Sequence, residues 1–261
     1  MWLRISGLLL RNLYLYRRST ARAMEIFFWP VMNLMVWGFL THYLKKMNLP
    51  IAIDYLLGAM ILWDLLYRSQ QSITLSLTEE FWVKNIMNIF IAPIRTVEMV
   101  ISMCIMGFIK SIITMSFLTV LAFGFYRFNI FDMGISLIPF FGNLILFGWG
   151  LGMFTMSLVL RYGHAAEALI WGVPFLIQPI SAVFYPVAVL PFALKIVAFA
   201  LPSTYIFEGM RSVLNTGTMN PRMLAMAFGM NIVYLIAGGA MFGWTLRLVR
   251  RKGYLSRTHI E

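Results

Sequence analysis

The chain has 261 residues, of which 61% are hydrophobic, 16% aromatic and only 12% charged, with a formal net charge of +11. Soluble domains run at about 45–50% apolar and about 25% charged. Together with a mean hydropathy of +0.80, this excludes a disordered chain, a nucleic-acid-binding domain and an ordinary cytosolic enzyme, and leaves an all-α protein that crosses a membrane several times.

Residues 1–22 read as an amphipathic helix in the membrane interface. At about 100° per residue, Arg4, Arg11, Arg18 and Arg22 fall on one stripe, and Trp2, Ile5, Leu9 and Leu13 on a broad opposite face. The stripe is expected to reach anionic lipid headgroups. The segment is either a lever joined to the first span or a passive anchor. Arg4 and Arg11 interrupt the apolar run and no small-residue cleavage site follows, so it does not read as a cleavable signal.

Residues 23–261 read as a transmembrane domain. About 20 mainly apolar residues make a crossing, and six stretches qualify: 24–44, 53–77, 97–126, 134–160, 168–194 and 222–246. The second contains Asp64 and Arg68, four residues apart and therefore on one helix face. They form either a structural ion pair or a polar gate that contacts cargo. Lys110, in the third, either snorkels toward the interface or touches cargo. Gly148/Gly152 and Gly239/Gly243 each form a G-x-x-x-G that permits close helix approach, within one chain or between two.

Two connections do not read as plain turns. Between the second and third spans runs SLTEEFWVKNIMNIFIAPIRTVEMV, residues 76–100. It opens on Glu79 and Glu80, breaks at Pro93 and restarts as a helix at Thr96, a side-chain acceptor. This is either a short helix that docks a partner protein or an interfacial loop. After the fifth span, FYPVAVLPFALKIVAFALPSTYIF (184–207) is broken by Pro186, Pro191 and Pro202. Its last apolar run is too short to span. The segment reads as two short helices that enter the membrane and return on the same side; the alternative is two further crossings. Glu208 and Arg211, three apart, either brace this hairpin or touch cargo.

Basic residues orient the chain. Arg4, Arg11, Arg17, Arg18 and Arg22 share a side with Arg247, Arg250, Arg251, Lys252 and Arg257, and with Lys84, Arg95 and Arg161. The opposite side holds fewer: Lys45, Lys46, Arg127, Lys195, Arg211 and Arg222. By the positive-inside rule both termini are cytoplasmic and the proline-rich hairpin is outside.

This layout resembles the permease subunit of a type-2 ABC exporter. Residues 88–102, NIFIAPIRTVEMVIS, resemble the family's apolar pair, proline and restart into span three. Residues 179–214 are more specific, with Phe184-Tyr185-Pro186, Leu190-Pro191, and Pro202, Tyr205, Glu208 and Arg211 in the spacing P-x-x-Y-x-x-E-x-x-R. The resemblance implies six spans, an amphipathic start, a cytoplasmic coupling region at 79–96 and a re-entrant outer hairpin at 184–214. It implies a dimer of permeases in the cell inner membrane, driven by two copies of a separate ATPase subunit. Glu79, Glu80, Phe81, Trp82, Ile86, Phe90 and Pro93 then face that ATPase. Tyr185, Pro186, Pro191, Pro202, Tyr205, Glu208 and Arg211 form the hairpin. The resemblance also draws the pathway to spans one, two and five, where Trp29, Trp37, Trp171 and Phe175 join Asp64 and Arg68 as pathway candidates, their rings being otherwise core packing.

The chain carries no phosphate-cradling loop, because no Gly-Lys pair occurs in it. ATP and magnesium are therefore expected in the partner subunit, and no cofactor, metal or catalytic residue in this chain. The single cysteine, Cys104, and the scattered His42, His164 and His259 show no metal-ligand spacing. His164 and Glu167, in the turn RYGHAAEA, lack a nucleophile. A stand-alone secondary transporter or channel is the alternative; that class expects an internal repeat or a carboxylate cluster, and neither is evident. A membrane-embedded enzyme needs His, Asp or Cys converging at one depth. The cargo, whether polysaccharide, lipid or drug-like amphiphile, is not encoded in any motif.

Overall fold

The computed structural model describes residues 1–47, 51–82, 85 and 94–252. These residues form helices and turns, with no strand among them. In chain order the α-helices are α1 Trp2–Arg18, α2 Thr20–Lys46, α3 Ile51–Trp82, α4 Thr96–Tyr126, α5 Leu137–Tyr162, α6 Leu169–Ile180, α7 Phe192–Phe199, α8 Pro202–Thr216 and α9 Pro221–Lys252. Thr96–Tyr126, Ile130–Tyr162 and Pro221–Val249 are long and apolar enough to cross a membrane. α7 and α8 make a fourth if the pair, bent by 97° at its break, counts as one span.

α2 and α3 are long enough, at 27 and 32 residues, but are not among these spans. For α3 the reason is its position. It lies at the centre, packed against α2, α4 and α5, while α5 packs in turn against α9. Its first half buries Leu57, Ile61, Leu62, Leu65 and Leu66 in the main core. Its second half buries Ser69, Gln70, Gln71, Ser72, Thr74 and Thr78. A polar group in an apolar interior costs several kcal/mol unless it is bonded, and neighbouring helices supply partners. Ser69 Oγ donates to the Ile145 carbonyl on α5 at 3.0 Å, and Ser72 Oγ to the Met103 carbonyl on α4 at 3.1 Å.

Glycine lets α5 come that close. A Cβ on Gly148 would lie 2.6 Å from Ser69 Cβ, and one on Gly152 2.8 Å from the Gln70 carbonyl oxygen. This G-x-x-x-G therefore packs helices within one chain. On α9, a Cβ on Gly243 would meet nothing within 4 Å.

The ends of several elements differ from the sequence pattern. The pattern predicts one amphipathic unit over 1–22; α1 ends at Arg18, and Ser19 caps α2 by accepting the Arg22 N–H at 3.4 Å. It predicts the end of the second span at Leu77; α3 runs on to Trp82, because its last turn is held by partners described below. The fifth span, predicted over 168–194, stops at Ile180 after 12 residues, about 18 Å of helix against a bilayer core of about 30 Å. Pro174 and Pro179 each remove a backbone donor from it. Arg95 rather than Thr96 caps α4, its N–H bonded to Glu98 Oε2 at 2.9 Å.

Candidate functional site: a slot beside the central helix

Between α2, α3 and α6 lies a cavity of about 600 Å³. One stripe of α2 lines it: Arg22, Ile26, Trp29, Asn33 and Trp37, residues three or four apart that share a helix face. From Arg22 to Trp37 the stripe runs about 22 Å along the axis. α3 contributes Met60, Trp63, Asp64, Tyr67, Arg68, Gln71, Ser72 and Leu75, and α6 contributes Trp171, Phe175 and Gln178. Tyr16, Lys110 and Phe184 complete the lining. Every pathway residue singled out from the sequence, namely Trp29, Trp37, Asp64, Arg68, Trp171 and Phe175, therefore faces one cavity. Sequence reasoning missed Asn33, Trp63, Gln71, Gln178 and Phe184. The signal available was the spacing of Arg22, Ile26, Trp29, Asn33 and Trp37.

The short, kinked α6 forms one wall, and a specific contact fixes it there. Pro174 has no N–H to offer the carbonyl four residues back, that of Ile170. Gln71 Nε2 donates to this carbonyl at 2.9 Å and Gln70 Nε2 at 3.4 Å. The Gln71 amide thus meets an acceptor that α6 would otherwise leave open, while Gln70 Nε2 donates also to the Thr74 and Thr155 hydroxyls. Trp37 stacks on Phe184 at 3.8 Å between ring centroids and closes the slot toward the hairpin.

Asp64 and Arg68 are buried, at 6% and 8% exposure. They face each other as an i,i+4 pair, with Arg68 Nε 3.5 Å from Asp64 Oδ2, and Arg68 Nε makes no hydrogen bond among the described residues. Lys110 donates to the Tyr16 hydroxyl and lies 4.2 Å from the centre of that ring. Its ammonium thus meets α1 at the slot wall. Arg22 pairs with Glu79 at 3.1 Å.

α1 turns part of its arginine stripe toward the bundle, while Arg18 stays exposed. Arg4 approaches Glu98 at 3.5 Å and Arg11 approaches Glu80 at 2.5 Å. Ile5, at 1% exposure, is buried against the bundle rather than lying on a free apolar face, while Trp2, Leu3, Leu10 and Leu13 are exposed. The acids that open the predicted coupling region thus engage the N-terminal arginines. Glu80 also accepts from Asn85 Nδ2 at 2.7 Å. The Trp82 indole N–H donates to Glu167 at 2.8 Å, joining the end of α3 to the α5–α6 turn. Ile86, Phe90 and Pro93, and the Phe81 side chain, lie outside the described residues.

The hairpin residues converge on a second locus. Glu208 accepts the Val187 N–H at 2.7 Å and pairs with Arg211 at 3.0 Å. Arg211 donates to the Ala182 and Val183 carbonyls at 2.9 and 3.2 Å. Ala182 is buried with φ +51°, a left-handed conformation that costs an L-residue about 1–2 kcal/mol; the guanidinium holds it there. Tyr185 and Tyr205 hydroxyls donate to the carbonyls of Pro179 and Phe199 at 2.7 and 3.0 Å. Pro186, Pro191 and Pro202 each stand where a helical turn begins. These seven residues brace the hairpin and do not line the slot.

Among the described residues no group of three or more His, Cys, Asp or Glu converges as a metal would require. Compared with known proteins, the chain matches no family model and no curated sequence.

Proposed function

We propose that this chain is the permease subunit of an ATP-driven type-2 ABC exporter. The observation that carries the proposal is the slot. It joins the two places where such a machine must act: one end is closed by Phe184 of the hairpin, the other by Arg22, which is tied to Glu79 where the coupling region begins.

In this scheme α2 to α5, α6 with the turns that follow it, and α9 are the six crossings. α3 crosses despite its polar half because neighbouring helices and its own backbone bond most of those groups. α7 and α8 are re-entrant on the outer side, and both termini are cytoplasmic in the cell inner membrane. Two copies pair so that each covers the open side of the other's slot, where Trp29 and Phe175 are 61% and 62% exposed. Two copies of an ATPase subunit, with ATP and magnesium bound there, press on 79–96. The push passes through the Arg11–Glu80 and Arg22–Glu79 pairs to α1 and α2. Arg17 and Arg18, exposed on α1, meet anionic headgroups.

The test is purification of the intact chain from its native membrane. A subunit with a phosphate-binding loop and ATP hydrolysis is expected to accompany it, and to be lost when Phe81, Trp82 and Ile86 are replaced by Asp. Solute flux through vesicles that hold the chain alone, without nucleotide, overturns the proposal in favour of a stand-alone transporter or channel.

A further inference from the structure

We infer that the slot binds an amphiphile with an anionic head and a flat, ring-bearing body, the head toward Arg68 and Lys110 and the body toward the hairpin. Its role as cargo rests on the exporter proposal; its binding does not.

The slot is polarised along its length. Ser72 bonds Met103 and Ser111 bonds Leu65, so Lys110 and Arg68 stand at similar depth on adjacent helices. Arg22 lies further toward α1. Against these three cations, the slot-lining carboxylate among the described residues is Asp64. Glu79 engages Arg22 from outside the lining. Toward the hairpin the walls are rings, Trp37 stacked on Phe184 with Trp63 on the facing helix, while Phe175 lies beside Tyr67 at 6.4 Å, level with Arg68. A cavity of about 600 Å³ suits a drug-sized molecule.

Arg68 sets the sign of the head. A guanidinium carries five donors in a planar fork that matches a carboxylate or phosphate in bidentate fashion. Here it is more than nine-tenths buried, with one long contact to Asp64 and an Nε that makes no hydrogen bond. A buried cation so thinly paired is costly, and an entering anion relieves that cost. A cationic head meets like charge at Arg68 and Lys110. A hydrophilic anion without a ring body forgoes the aromatic walls. The combination selects an amphiphilic anion.

Such a molecule comes either from solution or from the membrane as an anionic lipid. The experiment uses the full chain in phosphatidylcholine nanodiscs and a matched set of probes: pyrenebutyrate, pyrenebutanol and a pyrenebutyl trimethylammonium. Trp29, Trp37, Trp63 and Trp171 line the slot, so energy transfer from tryptophan to pyrene reads occupancy, with empty nanodiscs correcting for partition. Pyrenebutyrate is expected to bind roughly ten-fold more tightly than the alcohol, and the ammonium more weakly than either. Arg68→Gln is expected to abolish the preference for the anion. Asp64→Asn, which frees the guanidinium, is expected to raise affinity for pyrenebutyrate several-fold. Should Arg68→Gln fail to fold, Asp64→Asn and Lys110→Gln decide the matter, the first raising and the second lowering anion affinity. No preference for the anion, a preference that survives Arg68→Gln, or a fall in affinity with Asp64→Asn overturns the assignment. Repeating the titration in phosphatidylglycerol nanodiscs identifies the source. Several-fold weaker pyrenebutyrate binding there means a lipid headgroup competes for the cations; unchanged binding means a free amphiphile. Loss of the anion preference leaves the exporter proposal standing, and nucleotide-free flux leaves the ligand class standing.

Discussion

Gln71 donates its side-chain amide to the Ile170 carbonyl at 2.9 Å, an acceptor that is open because Pro174, four residues on, has no N–H. A sequence-encoded defect in α6 thereby becomes the tether that hangs it on α3. Gln71→Leu is expected to cost about 1–2 kcal/mol, because the Ile170 carbonyl loses its shorter donor and keeps only the Gln70 amide at 3.4 Å. Pro174→Ala restores an intrahelical donor, so in that background the same substitution is expected to cost about 1 kcal/mol less. Thermal unfolding of the four proteins in detergent checks this. An unchanged cost in the Pro174→Ala background would show that the tether is not what holds α6.

The glycines of α5 and α9 look alike in sequence and differ in space. Gly148→Ala puts a methyl 2.6 Å from Ser69 Cβ and 2.8 Å from the Leu66 carbonyl oxygen. Overpacking of this kind costs about 1–3 kcal/mol. Gly243→Ala meets open space and is expected to stay within about 0.5 kcal/mol of the parent. Equal effects on unfolding temperature would remove the close α3–α5 approach from the account of the core.

Much of this was legible in the sequence, and what was not has a physical cause. The helix α4 and the broken hairpin follow from apolar length and from Pro186, Pro191 and Pro202. Pathway candidates chosen with the family resemblance as guide, Trp29 and Trp171 among them, share one cavity, because aromatic and ionisable side chains in an apolar chain have few places to go. The extent of α6 was not legible. Hydropathy continues through Leu194 without a charge, and the helix ends where a left-handed Ala182, held by Arg211, turns the chain. The partners of the α1 arginines were equally hidden. Periodicity gives a stripe, and only the tertiary fold puts Glu80 and Glu98 in front of it. The centrality of α3 also ran against its composition, since buried Ser69, Gln70 and Ser72 lower the hydropathy of the most enclosed helix.

α1 is fastened by partly exposed ion pairs, so its attachment is expected to be sensitive to salt. Such pairs are worth up to about 1 kcal/mol each, and at 1 M salt the Debye length falls to about 3 Å. Backbone amides of α1 are therefore expected to exchange several-fold faster in 1 M salt than at low salt. Glu80→Gln is expected to have the same effect at low salt, because it removes the charge facing Arg11. Ile5 is buried by apolar contact, which salt does not weaken, so α1 loosens without leaving the bundle. Exchange measured by mass spectrometry that is indifferent to both changes would mean that Ile5 and its neighbours alone hold the helix.

Glu208 and Arg211 act on the hairpin and not on the slot, and that separates two consequences of changing them. Arg211 is buried and donates to two backbone carbonyls as well as to Glu208. Replacing it with Met strands Glu208 and opens both carbonyls, an expected loss of about 3–5 kcal/mol. Arg211→Lys keeps the charge but presents a single compact donor group in place of a planar fork, and is expected to recover only part of the loss. Glu208→Gln retains an acceptor for the Val187 N–H and gives up the charge opposite Arg211, a milder change of about 1–3 kcal/mol. None of these side chains lines the cavity. In Glu208→Gln and Arg211→Lys protein that still folds, pyrenebutyrate affinity is therefore expected to remain within about two-fold of the parent while the unfolding temperature falls. A collapse of probe binding at full thermal stability would place the hairpin pair in the ligand's path.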